Sequence, residues 1–326
     1  MFAARAVRAC PDDPLAALEV GEGEAGAPPA GWVRVRVRAA ALNRHDLWSL
    51  RGVGLPAGEL PMVLGCDAAG VTDDGSEVVV HAVVTDDDVR DDETLDPRRT
   101  LLSEHHPGTL AEEVWVPARN VLPKPAGWTF ERAASVGTAW LTAYRMLFTQ
   151  ARAVPGQTVL VQGAAGGVAN AAVALGAAAG LRVWVAGRSH ERVERALAWG
   201  AAQGFATGER LPERVDVVVE TVGRATWKHS VQSLVPGGCI VVAGATSGGD
   251  PSAMLENVFF RQLRVLGSTM GTLAEFRRLL RFCETADLGP EIDSVHPLTE
   301  AREAFARLES GDAVGKVVLT LPGTKG

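Results

Sequence analysis

The stretch TVLVQGAAGGVAN, residues 158–170, constrains the fold of this chain more than any other. A strand-like run ending at Gln162 leads into a glycine-rich turn and then into an alanine-rich helix. Glycines let the backbone approach a pyrophosphate, and the helix N-terminus offers free N–H groups and the positive end of its dipole. The alternative is that the glycines serve only close packing of helix on sheet. We predict a dinucleotide-binding turn formed by Gly163, Ala164, Gly166, Gly167 and Val168.

The middle of the chain alternates short valine-rich segments with helical ones, starting at about residue 125. This rhythm is typical of βαβ units in a parallel, doubly wound sheet. The segments after the glycine-rich turn are LRVWVAG, SHERVERALAWG, RVDVVVET, GRATWKHSVQSL, GGCIVVAG and LRVLGST. We therefore predict an α/β dinucleotide-binding domain of the Rossmann type.

The end of the second strand bears on the choice of cofactor. An acidic residue at this point would bind a ribose 2′-hydroxyl and repel a 2′-phosphate, but the chain has Gly187 there and no acid until Glu191. An arginine fork can bind phosphate through a charge-assisted hydrogen bond worth about 1.5–3 kcal/mol. We therefore predict NADPH as the cofactor, with Gly187 and Arg188 at the 2′-phosphate and further donors from Ser189 and Arg192. The alternative is an ordinary surface arginine.

The first third of the chain reads as β-structure. In GWVRVRVRAAAL the valines 33, 35 and 37 alternate with the arginines 34, 36 and 38, which predicts a half-buried strand with its arginines on a solvated face. GSEVVVHAVV and AEEVWVPA predict further strands, and the acid-rich residues 86–96 predict a surface loop. The last 35 or so residues predict a helix followed by a strand that returns to the first domain.

Composition and charge exclude several classes of protein. The chain has 326 residues, a net charge of −7, 47% hydrophobic and 22% charged residues, which is typical of a globular protein of about two domains. The negative charge argues against nucleic-acid partners. No apolar run approaches the roughly 20 residues of a membrane span, and the N-terminus does not look like a secretory signal. Four scattered cysteines favour a cytoplasmic location.

Several landmarks together resemble the medium-chain dehydrogenase/reductase superfamily, and most closely its zinc-free, quinone oxidoreductase-like branch. They are AALNRHDLW, PMVLGCDAAG, GTLAEEVWVPARNVLPKP, GTAWLTAYRML, VLVQGAAGGV, PGGCIVVAGATSG and GKVVL. The resemblance implies a GroES-like β-domain built from both ends of the chain, with a Rossmann domain inserted between them. We place the first part of the catalytic domain at residues 1–123, the Rossmann domain at 124–288 and the return at 289–326.

The resemblance also locates the places of the catalytic zinc ligands in zinc-dependent members. Asn43 stands in the place of the first cysteine, the pair Cys66 and Asp67 in the place of histidine and glutamate, and Thr138 in the place of the second cysteine. Tetrahedral catalytic zinc requires about three good ligands, and asparagine and threonine are poor ones. We therefore predict no metal.

Without zinc, side chains must polarise the substrate oxygen and protonate it. His45 is the candidate proton donor, because it falls where zinc-dependent relatives carry the hydroxyl of their proton relay. Asn43 is a candidate hydrogen-bond donor to the substrate or to the nicotinamide ribose. Asp46 is included with them, although it more simply orients the nearby backbone. For each residue a purely structural role stays open.

The remaining cofactor contacts follow from the resemblance alone. Lys316 is expected to reach the pyrophosphate and Thr142 to lie behind the nicotinamide. The turn of Gly244, Ala245 and Thr246 is expected beneath the nicotinamide, and Ser268 and Thr269 near the carboxamide. In relatives the strand before Ser268 commonly pairs across a dimer, so we expect a homodimer.

These expectations combine into a zinc-independent NADPH-dependent oxidoreductase that transfers hydride to a quinone, a 2-enone or a similar small conjugated carbonyl compound. The single tyrosine, Tyr144, lies in a segment that reads as a core helix. Its position disfavours an enoyl-thioester reductase that uses a tyrosine of the first domain as proton donor. Two alternatives remain: an alcohol dehydrogenase or carbonyl reductase with a degenerate metal site, and a catalytically silent NADPH-binding protein.

Overall fold

The computed structural model describes residues 1–24, 29–86 and 92–321. The chain forms two structural units and passes from one to the other more than once. The first unit contains residues 1–138, 272–281 and 290–326, and the second contains residues 139–271 and 282–289. Residues 87–91 of the acidic loop lie outside the described part, so the prediction of a surface loop there is not addressed for them.

The strands are numbered along the chain. They are β1 Phe2–Ala6, β2 Leu18–Glu22, β3 Trp32–Ala41, β4 Met62–Val63, β5 Asp67–Thr72, β6 Glu77–Val80, β7 Val83–Val84, β8 Thr100–Leu101, β9 Glu113–Pro117, β10 Val121–Pro123, β11 Thr158–Gln162, β12 Arg182–Gly187, β13 Gln203–Ala206, β14 Val215–Glu220, β15 Leu234–Val242, β16 Arg264–Gly267, β17 Ile292–Pro297 and β18 Lys316–Thr320.

The α-helices are numbered in the same way. They are α1 Arg44–Leu50, α2 Phe130–Ala134, α3 Thr138–Tyr144, α4 Gly167–Ala178, α5 His190–Ala198, α6 Arg224–Ser233, α7 Leu255–Phe260, α8 Leu273–Thr285 and α9 Ala301–Glu309. A π-helical segment, Arg145–Gln150, follows α3 directly.

The second unit contains the predicted parallel sheet. Its strands pair in the order β13-β12-β11-β14-β15-β16, and every pairing is parallel. This is the strand order of a dinucleotide-binding Rossmann domain. Helices cover such a sheet on both faces, so its strands are buried on both sides and are rich in valine. The core beneath the helices includes Leu160, Trp184, Val218 and Ile240. The prediction of a Rossmann domain is confirmed.

The first unit contains the GroES-like β-structure that the resemblance implies, built from antiparallel pairings except for one. Its larger sheet runs β10-β6-β5-β3-β18-β17, and β9 also pairs with β3. Val35 and Val37 of β3 are buried, while Arg34 and Arg36 on the other face bind Asp73 at the surface. The alternation read from the sequence is therefore confirmed, with the arginines on a solvated face.

The C-terminal segment differs from its prediction. Besides the expected helix α9 and strand β18, the segment forms β17, which pairs in parallel with β18. The sequence IDSVHP gives little strand signal because polar residues interrupt it and a proline ends it. The pairing with β18 supplies the hydrogen bonds that local propensity does not.

The first segment of the first unit ends at residue 138, beyond the predicted boundary at residue 123. Residues 124–138 belong to the first unit, because α2 packs against β3 and β5. Residues 272–281 belong to it as well, and the Glu93 carboxylate accepts the backbone N–H of Leu273 there. Residues 124–138 continue the first unit without a break, whereas residues 272–281 join it through tertiary contacts alone.

No helix in the described ranges combines the length and the apolar character that crossing a membrane requires.

Candidate active site

The start of α1 is fixed by Asp46. Its Oδ2 accepts the backbone N–H of Asn43 at 2.8 Å, and its Oδ1 accepts the backbone N–H of Gly65 at 3.0 Å. An acidic side chain at the third helical position commonly closes the first turn in this way. Burial raises the pKa of Asp46, although the neighbouring His45 and the Asn43 N–H oppose that rise. In the structure Asp46 organises the backbone that presents Asn43 and His45.

His45 is held at both ring nitrogens. Its Nε2 lies 2.8 Å from Glu104 Oε1, and its Nδ1 lies 3.6 Å from Cys66 Sγ. Burial lowers the pKa of His45, but the proximity of Cys66 and Glu104 outweighs it, so the pKa lies well above its usual value. The ring keeps 23% of its side-chain surface exposed. The protonated ring can therefore donate from both nitrogens while a substrate can still approach it.

Glu104 is a site residue that the sequence did not reveal. It lies 59 positions from His45 in the chain, in the segment SEHHPG, which predicts no more than a loop. The preceding residue, Ser103, is fully buried and has a φ of 67°, which few non-glycine residues adopt. Such strain is often found at functional sites. No sequence pattern predicts this backbone conformation or the position of Glu104.

Cys66 lies between His45 and the loop that carries Ser103. Its thiol donates to the carbonyl oxygen of Leu102 at 3.3 Å, and its sulfur is 3.7 Å from Ser103 Oγ. Burial raises the pKa of Cys66, and His45 only partly opposes this. The sulfur accepts a hydrogen bond from Nδ1 when that nitrogen carries the proton.

Asn43, Asp67, Thr138 and Lys316 form a second cluster of the first unit, which we call the Asp67 cluster. Lys316 Nζ donates to Asn43 Oδ1 at 2.7 Å and to Asp67 Oδ2 at 3.2 Å. Asn43 Nδ2 donates to Asp67 Oδ2 at 2.9 Å. Thr138 donates to Asp67 Oδ1 from its backbone N–H at 2.6 Å and from its hydroxyl at 2.7 Å.

The Asp67 cluster gives two predicted residues partners that the sequence did not suggest. The resemblance assigns Lys316 to a pyrophosphate, whereas in the structure its ammonium is buried on Asn43 and Asp67. Asn43 donates to Asp67 and, at 3.4 Å, to the carbonyl oxygen of Ala41. The predicted contacts of Lys316 with a pyrophosphate, and of Asn43 with substrate or ribose, stay predictions.

In the second unit, the glycine-rich turn has the predicted form. Gly163 has a φ of 89°, a left-handed conformation that glycine adopts without strain, and its N–H donates to Ala186 O. Gly166 caps α4, and a Cβ added there would meet no atom within 4 Å. Gly167 and Val168 begin the helix, so the first backbone N–H groups of α4 lie at this turn.

Gly187 is required by packing at the end of β12. A Cβ added to Gly187 would lie 2.7 Å from Ala164 Cβ and 3.1 Å from Val193 Cγ2. An acidic side chain therefore does not fit here unless the glycine-rich turn shifts. Arg188, the next residue, is exposed, and Ser189 caps α5, which contains the half-buried Arg192.

Two further turns lie at the carboxyl ends of β14 and β15. The buried carboxylate of Glu220 accepts the N–H groups of Val222 and Gly223 and thereby fixes the first turn. Ser247, just after Gly244, Ala245 and Thr246, donates its hydroxyl to Val222 O. Neighbouring carboxyl ends of parallel strands meet at one sheet edge, where nucleotides bind in this fold. Sequence reasoning missed Glu220, although an acid ending the buried run VDVVVE is the signal that could have found it.

The same edge contains an unsatisfied polar atom. The hydroxyl of Ser268 is buried and has no hydrogen-bond partner in the described part of the chain, and its N–H donates to Val242 O. Thr269 follows it, and Thr142 is buried in α3. An unpartnered buried hydroxyl at the carboxyl edge of this sheet fits a ligand with polar groups, as a nicotinamide dinucleotide has.

Two family models match the chain. One is the alcohol dehydrogenase GroES-like domain, over residues 29–126, and the other is the zinc-binding dehydrogenase domain, over residues 197–319. A crystal structure of an NAD-dependent alcohol dehydrogenase is 33% identical, with a TM-score of 0.90 and coverage of 99% of this chain and 100% of the other. The chain belongs to the medium-chain dehydrogenase/reductase superfamily. It is therefore a nicotinamide-dependent oxidoreductase by family.

Two curated relatives of this chain differ in size. A zinc-type alcohol dehydrogenase-like protein of Schizosaccharomyces pombe is 29% identical over 316 residues, which are 89% of this chain and 91% of that protein. The spectinabilin polyketide synthase system protein NorB of Streptomyces orinoci is 31% identical over 92% of this chain. This chain spans only 14% of NorB, so the activity of that whole protein does not transfer.

A zinc ion, which one of these family names implies, does not fit the residues at the ligand places. Asp67 and Asn43 bind an ammonium, and Thr138 is hydrogen-bonded to Asp67. The Cys66 thiol contacts Leu102 O and His45 instead. Within residues 1–24, 29–86 and 92–321, no three His, Cys, Asp or Glu side chains are grouped to hold a metal ion.

Proposed function

We propose that this medium-chain dehydrogenase/reductase is a zinc-independent, NADPH-dependent reductase of quinones, 2-enones or similar conjugated carbonyl compounds. It would then belong to the quinone oxidoreductase-like branch. The observation that carries the proposal is the contact between His45 Nε2 and Glu104 Oε1 at 2.8 Å. This pair provides a positioned proton donor at the start of α1, beside ligand places that do not suit zinc.

The two ring nitrogens of His45 have different partners, and we assign them different roles. The short contact with Glu104 anchors Nε2 and stabilises the protonated ring. The contact of Nδ1 with sulfur is 3.6 Å long, and a substrate oxygen is a better hydrogen-bond acceptor than a thiol sulfur. Nδ1 is therefore the atom from which the proton leaves, and Glu104 holds the ring while it does so.

A proton donor of this kind favours conjugated substrates. A bound nicotinamide supplies the hydride at its C4 position. When hydride reaches the β-carbon of an enone or a quinone ring, charge develops on a delocalised oxygen that is much less basic than an alkoxide. An imidazolium can stabilise and protonate such an oxygen without a metal. Direct reduction of a simple ketone develops a more basic alkoxide, which requires a stronger polarising group than an imidazolium.

NADPH is the proposed cofactor because of residues 187 and 188. The close contact of Gly187 with Ala164 leaves no room for an acid that would bind a 2′-hydroxyl, and Arg188 is exposed beside it. Relatives differ here, since the 33% identical structure is that of an NAD-dependent enzyme. The glycine-rich turn, Arg192 and the turns at residues 244–246 and 268–269 would hold the rest of the dinucleotide.

Replacing Arg188 with alanine is expected to raise KM for NADPH about ten- to a hundred-fold, the value of one charge-assisted hydrogen bond. KM for NADH should stay within the error of the assay, because NADH has no 2′-phosphate. Steady-state kinetics with both cofactors measures this. Arg195→Ala, an exposed arginine farther along α5, serves as the control, and an equal loss for NADPH and NADH in Arg188→Ala would return Arg188 to an ordinary surface role.

A second candidate function is interconversion of alcohols and simple carbonyl compounds, which the names of the alcohol dehydrogenase relatives favour. Reduction of a 2-enone with NADPH deuterated at C4 separates the two candidates. Deuterium at the β-carbon of a saturated ketone supports the proposal. Deuterium at the carbonyl carbon of an allylic alcohol supports the second candidate. NADPH binding with no transfer to any acceptor would leave a silent binding protein.

We also propose that the protein acts as a homodimer through the edge strand β16. Val265 in β16 and the apolar side chains Leu255, Phe259 and Phe260 of α7 are exposed, with Phe260 77% accessible. An edge strand with unpaired backbone groups beside an apolar patch invites pairing with a second copy. Sedimentation equilibrium should give twice the chain mass for the wild type and a single chain mass for Phe260→Asp. A monomeric wild type would contradict the dimer.

The partner is proposed to be a small molecule, which the net charge of −7 supports by disfavouring nucleic acid. A cytoplasmic location is proposed because Cys10, Cys66, Cys239 and Cys283 are all free thiols. Localisation of a tagged chain in its host would test this.

A further inference from the structure

A buried lysine holds a fixed positive charge in the Asp67 cluster. The side chains of Lys316 and Asp67 are only 3% and 1% exposed. An ammonium removed from water this fully requires an anion and other acceptors to offset its lost hydration. Asp67 supplies the anion, and the amide oxygen of Asn43 supplies a second acceptor at 2.7 Å.

We infer that the Lys316 ammonium is the resident cation of this site, which stands in for a divalent metal and excludes it. The inference gives a structural reason for the zinc independence of the proposed function, and it rests on that part of the proposal. It assigns Lys316 to the positioning of Asn43 and Asp67, in place of the contact with pyrophosphate that the resemblance implies.

The hydrogen bonds of Asp67 leave no lone pair for a metal. Thr138 occupies Oδ1 with two donors, and Asn43 and Lys316 occupy Oδ2. A carboxylate has about four acceptor positions, so all of them are taken. A divalent ion would have to displace the ammonium or lie next to it, where like charges in a buried site repel strongly.

The Cys66 thiol, a soft potential ligand, does not point to the same place as the oxygens of the Asp67 cluster. Cys66 follows Leu64 and Gly65 and precedes Asp67, but its thiol contacts Leu102 O and His45 Nδ1 rather than any member of the Asp67 cluster. Tetrahedral zinc requires its ligands to converge on one point. Here the Cys66 sulfur contacts the candidate proton donor His45, whereas the oxygens of Asn43 and Asp67 bind the Lys316 ammonium.

The residue before Thr138 shows that the Asp67 cluster is closely packed. A Cβ added to Gly137 would lie 2.4 Å from Asp67 Oδ1. A glycine therefore lets the backbone N–H and the hydroxyl of Thr138 approach the same carboxylate oxygen. The carboxylate is held from one side by Thr138 and from the other by Asn43 and Lys316.

Zinc affinity tests the inference without reference to any substrate. Wild type, Lys316→Ala and Lys316→Arg are dialysed against Zn²⁺ and analysed for bound metal. Wild type and Lys316→Arg, which keep a cation, should hold no stoichiometric zinc. Lys316→Ala leaves the Asp67 carboxylate without its cation, so it should bind zinc about tenfold or more tightly than wild type. Adding Asp67→Asn to Lys316→Ala should abolish that gain.

Stoichiometric zinc in the wild type, or equal zinc affinity in wild type and folded Lys316→Ala, would overturn the inference. If Lys316→Ala does not fold, NMR of the ¹⁵N-lysine-labelled wild type decides. A slowly exchanging ammonium signal that is lost in Lys316→Arg and unchanged by zinc is expected, and its displacement by zinc overturns the inference. A metal-free chain that reduces no enone or quinone removes the proposed substrate class alone.

Discussion

Replacing His45 with alanine is expected to lower kcat about 10²–10⁴-fold, which is the usual contribution of a positioned general acid. KM for NADPH should stay unchanged, because the contacts of His45 are with Glu104 and Cys66 in the first unit. Steady-state turnover of the best quinone or enone measures the effect. The loss should fall on kcat alone, since the hydride is still delivered to the substrate carbon, while the oxygen on which the charge develops now takes its proton from water.

His105→Ala is the matched control, because His105 lies in the neighbouring loop and its Nδ1 pairs with Glu59 rather than with His45 or Glu104. Its activity should equal that of the wild type. Glu104→Gln keeps a hydrogen-bonding side chain but removes a charged acceptor that, together with Cys66, favours the protonated His45 ring, so it should show a smaller fall in kcat. Full activity in His45→Ala would remove His45 from the mechanism.

Replacing Asp67 with alanine is expected to lower the free energy of unfolding by about 3–5 kcal/mol, the typical cost of breaking a buried ion pair from one side. The substitution leaves the Lys316 ammonium buried without its anion and removes the acceptor of Thr138 and Asn43. Urea unfolding followed by circular dichroism measures the change.

Asp73→Ala provides the comparison within the same unit. Asp73 binds Arg34 and Arg36 at the surface, and these guanidinium groups hold the pKa of its carboxyl below the usual value. Exposed ion pairs contribute little to stability, so this variant should unfold at the wild-type urea concentration. Equal midpoints for the two variants would mean that the Asp67 cluster does not stabilise the fold.

Local patterns were enough to predict the elements at the carboxyl edge of the parallel sheet. The turn from β11 into α4 was predicted closely because buried strands, glycines and an alanine-rich helix each impose their own sequence pattern. Gly187 and Arg188 were placed at the end of β12 for the same reason. The strand β17 was missed because it is stabilised by its neighbour β18 rather than by its own residues.

The details of the candidate active site could not be predicted, because they depend on contacts between distant positions. Lys316 and Asn43 are 273 positions apart, and Glu104 and His45 are 59 apart. The sequence identified Asn43, His45 and Lys316 as residues of interest without indicating which side chains they touch. The acceptors of Lys316 and the anchor of His45 became visible only when the strands and the loop around Ser103 were in place.

The most direct test of the proposed function follows the absorbance of NADPH and of NADH with quinones, 2-enones, aldehydes and ketones, with and without a chelator. Zinc-independent reduction with NADPH predicts rapid oxidation of NADPH by quinones or enones, slower oxidation of NADH and no effect of the chelator. Activity that a chelator abolishes, or turnover confined to simple aldehydes and ketones, would contradict it.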